Sequence, residues 1–136
     1  MTKSIVIIDD DADDVAFISS SLLRQGIEQE EIHCFKDGNE LFNFLRMQKN
    51  DLPSLIITDL KMPRFNGKDL LTYIKDNEDY CHLPVIIITT AVSDEQKTIL
   101  YKLSATCVII KPSSVEGYTH IASAIKTLWL SNGRMS

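Results

Sequence analysis

The chain has 136 residues, of which 44% are hydrophobic and 24% charged, and its formal net charge is −5 at pH 7. This length fits one domain with a sizeable core. The negative balance argues against the basic surface that nucleic-acid binding needs, so we expect no direct contact with nucleic acid. No apolar run approaches the roughly 20 residues of a membrane span, and the N-terminus does not have the form of a signal peptide. Three separated cysteines without a C-x-x-C pair indicate reduced thiols, and we expect a cytoplasmic protein without membrane insertion.

Strand-like and helix-like segments alternate five times along the chain. The runs SLIIT and VIIIT are apolar throughout, which is typical of strands buried on both faces of a parallel sheet. The intervening segments carry apolar residues three and four positions apart, as amphipathic helices do. The predicted strands are 4–8, 31–35, 54–58, 85–89 and 107–110. The predicted helices are 13–25, 38–48, 67–77, 93–103 and a last helix that runs through Ile121 and Trp129.

Five βα units predict an α/β fold with three layers and a doubly wound, five-stranded parallel sheet. We take the flavodoxin-like strand order 2-1-3-4-5 for this sheet. We expect a single domain over 1–136, because no linker, repeat or low-complexity segment interrupts the pattern. In such sheets, ligands bind beyond the carboxyl ends of the strands where the strand order reverses. Here the reversal lies between strands one and three.

Polar side chains stand where the apolar runs stop. Asp9 and Asp10 end the first strand, Asp59 ends the third, Thr89 the fourth and Lys111 the fifth. Strands one and three are neighbours in the expected order, so three carboxylates should lie close together, and they cannot all stay ionised without a cation. Mg²⁺ fits best, because it binds one or two carboxylates and keeps positions open for water and phosphate oxygens. Lys111 adds a positive charge to the same pocket.

The neighbouring acidic residues Asp11, Asp13 and Asp14 have a simpler interpretation. They lie at the start of a predicted helix, where a negative charge interacts favourably with the helix dipole. We therefore assign them no role in the site.

Three other kinds of site fit the sequence less well. An EF-hand loop beginning at Asp9 would need Gly at its sixth position and Glu at its twelfth, where the chain has Asp14 and Ser20. A flavin or dinucleotide site would need a phosphate-binding loop after the first strand, where the clustered acids would repel phosphate. A phosphatase of the haloacid dehalogenase type would need a second Asp two positions after Asp59, where Lys61 stands.

These motifs together resemble the receiver domain of a two-component response regulator over essentially the whole chain. They are Asp9-Asp10, DLKMPRFNG at 59–67, PVIIITTA at 84–91 and IIKP at 109–112. No output domain follows, so we expect a single-domain regulator. The PR-x-x-G stretch, the TTA stretch and the closing LWL are similar to regulators that partner phytochrome-type histidine kinases.

The resemblance implies a role for each acidic residue at the strand ends. Asp59 is expected to accept a phosphoryl group from a kinase phosphohistidine. Asp10, Asp59 and the backbone carbonyl of Lys61 are expected to coordinate Mg²⁺, with Asp9 acting mainly through a bound water. The chemistry would be the protein's own phosphorylation and slow dephosphorylation, and we expect no other enzymatic activity.

The resemblance also implies an output mechanism. Lys111 would pair with one phosphoryl oxygen and Thr89 would hydrogen-bond another, which would shift strand 4, helix 4, strand 5 and helix 5. The expected partners are a sensor histidine kinase or phosphotransfer protein and a downstream protein target. We expect a monomer, or a homodimer through the helix 4–strand 5–helix 5 face.

Two departures from the family pattern concern that output face. Val108 stands where the family usually has an aromatic residue, and Ser104-Ala105 replaces the usual Gly-Ala before the last strand. Val108 mildly favours the alternative that the chain is a phosphorylation-independent interaction module with a receiver fold. The family also leads us to expect a cis bond between Lys111 and Pro112, which would aim Lys111.

Overall fold

A computed structural model describes residues 4–48, 50–62 and 65–131, except the side chains of 129–131. Its five strands form one parallel sheet in the order β2-β1-β3-β4-β5, so the predicted fold class and strand order are confirmed. The strands are β1 (Ile5–Ile8), β2 (Ile32–Phe35), β3 (Leu55–Asp59), β4 (Val85–Thr89) and β5 (Cys107–Ile110).

Five α-helices connect and flank these strands. They are α1 (Ala12–Arg24), α2 (Gly38–Met47), α3 (Gly67–Asp76), α4 (Asp94–Lys102) and α5 (Val115–Ile125). A 3₁₀ turn at Gln29–Glu31 precedes β2, and a π-helical segment at Lys126–Ser131 follows α5. The predicted last helix therefore changes its winding after Ile125. The side chain of Trp129 and residues 63–64 of the PR-x-x-G stretch lie outside the described residues.

Each α-helix begins at a short polar side chain that accepts hydrogen bonds from the first turn. These N-caps are Asp11, Asp37, Asn66, Ser93 and Ser114. Such caps satisfy backbone N–H groups that have no partner inside the helix. They therefore set where each helix starts after its strand.

The two faces of the sheet build two separate apolar cores. Ile5 and Ile7 of β1 pack toward α1 and α5, whereas Val6 and Ile8 pack toward α2, α3 and α4. Alternate residues of a strand point to opposite faces, so one apolar run can serve both layers. The helices differ in how firmly they are held: α4 buries only Leu100, whereas each of the other four buries three or four residues.

Candidate functional site

The carboxylates predicted from the strand ends meet at the carboxyl edge of the sheet. β1 and β3 are paired with Ile8 opposite Thr58, so Asp9 and Asp59 leave the sheet side by side. Carboxylate oxygens of Asp9, Asp10 and Asp59 all lie within 4.8 Å of one another. Asp9 and Asp59 are buried, while Asp10 is exposed at the mouth of the site.

Lys111 lies among these carboxylates. Its Nζ is 3.0 Å from Asp9 Oδ2, 2.6 Å from Asp14 Oδ2 and 3.4 Å from Asp59 Oδ2. The side chain of Lys111 is only 6% exposed, so these ion pairs are largely shielded from water. One ammonium therefore holds together acidic side chains from two strands and a helix.

Asp14 belongs to this site, and the interpretation of Asp14 as only a helix-start residue was wrong. The first turn of α1 carries its carboxylate back over the sheet edge to Lys111. Asp11 does behave as expected, because its carboxylate accepts hydrogen bonds from the N–H groups of Asp13 and Asp14. The signal available in the sequence was the position of Asp14 in the first turn of the helix that follows directly after β1.

The peptide bond between Lys111 and Pro112 is trans, so the expectation of a cis bond was wrong. Lys111 is positioned by other contacts. Its backbone N–H donates to the carbonyl of Thr89 at 2.7 Å, and its ammonium is held by the acidic side chains around it. These contacts direct Lys111 into the site without a cis bond.

The electrostatics of the site show an excess of negative charge. Burial, together with a smaller contribution from the negative charge of Asp59, raises the pKa of Asp9 to about 6, despite the lowering effects of the Asp11 N–H and Lys111. Burial alone would lower the pKa of Lys111, but its hydrogen bonds to Asp14 and Asp9 hold that pKa above the ordinary value. A second cation beside Asp9 would stabilise its charged form.

The donor set fits a hard divalent cation. It consists of carboxylate oxygens, which are the ligands that Mg²⁺ and similar ions prefer in proteins. Asp10 is the exposed member, which leaves one side of the cluster open toward solvent. The backbone N–H of Lys61 donates to Asp59 Oδ1 at 3.3 Å, so the backbone of Lys61 lies close to the cluster.

Thr89 lies beside the acidic cluster at the end of β4. The sheet pairs Asp59 of β3 with Ile88 of β4, so Thr89 is one residue beyond the partner of Asp59. The Thr89 side chain is buried, and its hydroxyl donates to the carbonyl of Ala91 at 3.3 Å. This bond links the hydroxyl to the loop that leads into α4.

Gly67 is a second residue whose part sequence reasoning missed. A Cβ at this position would lie 2.4 Å from the carbonyl oxygen of Asp59, so only glycine allows α3 to begin against the loop after β3. The Gly67 N–H donates to the carbonyl of Leu60 at 2.9 Å. The signal was present, since Gly67 closes the DLKMPRFNG motif directly after the cap Asn66.

Comparison with known proteins agrees with this geometry. The family model described as "Response regulator receiver domain" matches residues 5–123. Response regulator Rcp1 of Synechocystis sp. is 27% identical over 132 residues, which cover 94% of this chain and 89% of that protein.

Two solved structures extend the comparison. The Mn²⁺-bound form of response regulator Rcp1 has a TM-score of 0.81 at 27% identity and covers 95% of each chain. The phosphorylated cyanobacterial phytochrome response regulator RcpA has a TM-score of 0.80 at 25% identity, covering 97% of this chain and 96% of that one. The family match spans most of the residues that build the sheet, the acidic cluster and Lys111. The chain belongs to the response regulator receiver family.

Proposed function

We propose that the protein is a phosphoryl-accepting response regulator and that Asp59 is its phosphoacceptor. The observation that carries this proposal is the convergence of Asp9, Asp10, Asp59 and Lys111 at one edge of the sheet. Phosphoryl transfer asks a protein mainly for positioning and charge neutralisation, and this cluster supplies both.

In the proposed reaction, a carboxylate oxygen of Asp59 attacks the phosphorus of a phosphohistidine. The new O–P bond forms as the P–N bond to the histidine breaks, and the histidine nitrogen leaves with the electron pair. Lys111 is already 3.4 Å from Asp59 and would pair with a phosphoryl oxygen of the product. Mg²⁺ held by Asp10, Asp59 and the carbonyl of Lys61, with Asp9 acting through water, would supply charge neutralisation for the phosphoryl oxygens. Slow hydrolysis of the acyl phosphate would return the chain to its starting state.

We further propose that Thr89 transmits the change. A phosphoryl group adds roughly −1.5 to −2 charges and strong acceptor oxygens. The Thr89 hydroxyl would therefore leave the carbonyl of Ala91 and donate to a phosphoryl oxygen instead. This exchange would shift the loop before α4, which is the α-helix with the fewest buried residues. Tyr101, Ile110 and Val115, from α4, β5 and the start of α5, are each 46–53% exposed and offer an apolar output face.

The names of similar proteins suggest the partners. One neighbour is described as a phosphorylated phytochrome response regulator, which favours a phytochrome-type sensor histidine kinase, or a phosphotransfer protein, as phosphoryl donor. We propose that the chain acts as a single receiver domain in the cytoplasm, on a downstream protein target. It would be a monomer or a homodimer through the α4–β5–α5 face. Among the described residues, no helix is long and apolar enough to span a membrane.

Incubation with acetyl phosphate and Mg²⁺ tests the proposal. We expect intact-mass measurement to show one added phosphoryl group on the wild type, stable in acid and labile in base. Asp59→Asn should not be modified, whereas the control Asp76→Asn, an exposed aspartate at the end of α3, should be modified like the wild type. An unmodified wild-type chain would refute phosphoryl acceptance and favour the phosphorylation-independent interaction module.

A further inference from the structure

A cavity of about 610 Å³ lies between α4, residues 60–62 and the start of α3. Its apolar lining comes from Leu60, Met62 and Leu100, which are buried, and from Ile99, which is 38% exposed. None of the acidic residues around Lys111 lines it. We call this cavity the α4 pocket. It is large enough for one or two apolar side chains of a binding partner.

The polar residues that line the α4 pocket have mainly hydrogen-bond donors left to offer. The amide oxygen of Asn66 already accepts the N–H of Asp69 at the start of α3. The amide oxygen of Gln96 already accepts the N–H of Ser93 in the capping box of α4. Within the described residues, neither NH₂ group donates a hydrogen bond, so both NH₂ groups are available to a ligand.

Two lysines complete this donor set. Lys61 and Lys68 are exposed and line the same pocket. Neither Lys61 nor Lys68 forms an ion pair with a carboxylate of the described residues. Both cations stand at an apolar pocket on a chain whose net charge is −5. The two charged residues that line the pocket are thus both positive, opposite in sign to the net charge of the protein.

We propose that the α4 pocket binds an acidic segment of a partner protein, with one or two apolar side chains inserted and carboxylates facing Lys61 and Lys68. An apolar floor ringed by donors is complementary to an amphipathic, acceptor-rich peptide. A nucleic acid would gain little from the apolar floor and would meet the negative charge of the rest of the chain. The proposal goes beyond phosphoryl transfer and does not depend on Asp59 being modified.

The test is an NMR titration of the uniformly ¹⁵N-labelled full chain, unphosphorylated and in EDTA. The probe is a pool of blocked hexapeptides. The two central positions hold Leu, Ile, Phe or Met, and the two positions at each end hold Asp or Glu. We expect saturable shifts confined to amides around the α4 pocket, such as those of Leu60, Lys68 and Ile99. A pool with Ser and Asn in the centre, and a pool with Lys and Arg at the ends, should leave these amides unshifted.

Two variants locate the binding. Lys68→Glu and Ile99→Ser should each weaken binding of the acidic apolar pool about tenfold. The first variant removes a positive charge of the pocket and the second removes part of its apolar lining. The matched control Lys102→Glu makes the same charge reversal on α4 at an exposed residue that does not line the pocket, and it should bind like the wild type.

Three results would overturn the proposal. The first is no shift with the acidic apolar pool, and the second is equal weakening by Lys68→Glu and Lys102→Glu, which would indicate unspecific charge attraction. The third is a shift of the same amides with protein concentration alone, which would make a second copy of the chain the occupant. Because the titration uses unphosphorylated protein, its failure would leave the acetyl phosphate result standing, and the reverse also holds.

Discussion

At the scale of single residues, Lys111 decides the electrostatics of the site. Its ammonium contacts the carboxylates of Asp9, Asp14 and Asp59 while it is almost fully shielded from water. A buried charge without a partner carries a desolvation cost that no interaction offsets. Lys111 therefore stabilises the folded chain as well as serving the proposed chemistry.

Replacing Lys111 by methionine should lower the free energy of unfolding by about 3 kcal/mol, because the three carboxylates are left without their counter-charge. Urea unfolding in EDTA measures this. Lys102→Met removes an exposed lysine of α4 and should change stability by less than about 0.5 kcal/mol. Equal midpoints for the two variants would mean that the ion pairs around Lys111 contribute nothing net to folding.

At the scale of elements, α4 is joined to its neighbours in an unusual way. It buries only Leu100, so packing holds it weakly. Near its end, the hydroxyl of Tyr101 accepts the backbone N–H of Val108 at 3.0 Å. Val108 occupies the position where the family usually has an aromatic residue, and here an aromatic residue of α4 reaches β5 instead. Tyr101 thereby couples the helix to the edge strand of the sheet.

Removing that hydroxyl should loosen α4 from β5. We expect Tyr101→Phe to lower stability by about 1 kcal/mol, since the N–H of Val108 loses its acceptor. Native-state hydrogen exchange should show the Val108 amide exchanging several-fold faster.

Tyr73→Phe is the matched control for this prediction, because the Tyr73 hydroxyl makes no hydrogen bond within the described residues while its ring packs on Phe42. Its Val108 amide should exchange as in the wild type. Unchanged exchange at Val108 in Tyr101→Phe would show that the hydroxyl is not what joins the helix to the strand.

At the scale of the whole molecule, folding and metal binding should be coupled. The carboxylate of Asp59 joins those of the adjacent Asp9 and Asp10 only in the folded chain, because Asp59 is distant from them in sequence and meets them through the pairing of β1 with β3. A ligand that binds only the folded state stabilises it by mass action.

Mg²⁺ at about 100 times its dissociation constant should therefore raise the free energy of unfolding by about 2.7 kcal/mol. Thermal unfolding over a Mg²⁺ series, at constant ionic strength, measures this gain. Asp10→Asn should lose most of it, whereas Asp76→Asn should keep it. A melting temperature that does not respond to Mg²⁺ in the wild type would contradict a metal site in this cluster.

The architecture could be predicted because it depends on local patterns. Runs such as SLIIT and VIIIT can be satisfied only between two apolar layers, and short polar caps mark where the helices begin. The predicted site followed from the same patterns, since the carboxyl ends of parallel strands share one edge of the sheet. Asp9, Asp10 and Asp59 come together there as expected.

Other features depended on how the elements approach one another. Ser104 has a φ of 76°, in the left-handed region where glycine is favoured, so the turn between α4 and β5 holds a residue with a Cβ in this conformation at a cost of about 1 kcal/mol.

From sequence alone, then, the periodicity of apolar residues determined the layers of the fold, and the acids at the strand ends determined where a candidate site lies. Tertiary structure alone decided that Asp14 joins Lys111, that Tyr101 reaches Val108 and that a donor-lined pocket opens under α4. The physical reason is that periodicity reports which face of an element is buried. Contacts between side chains of different elements depend on distances and angles that no local pattern encodes.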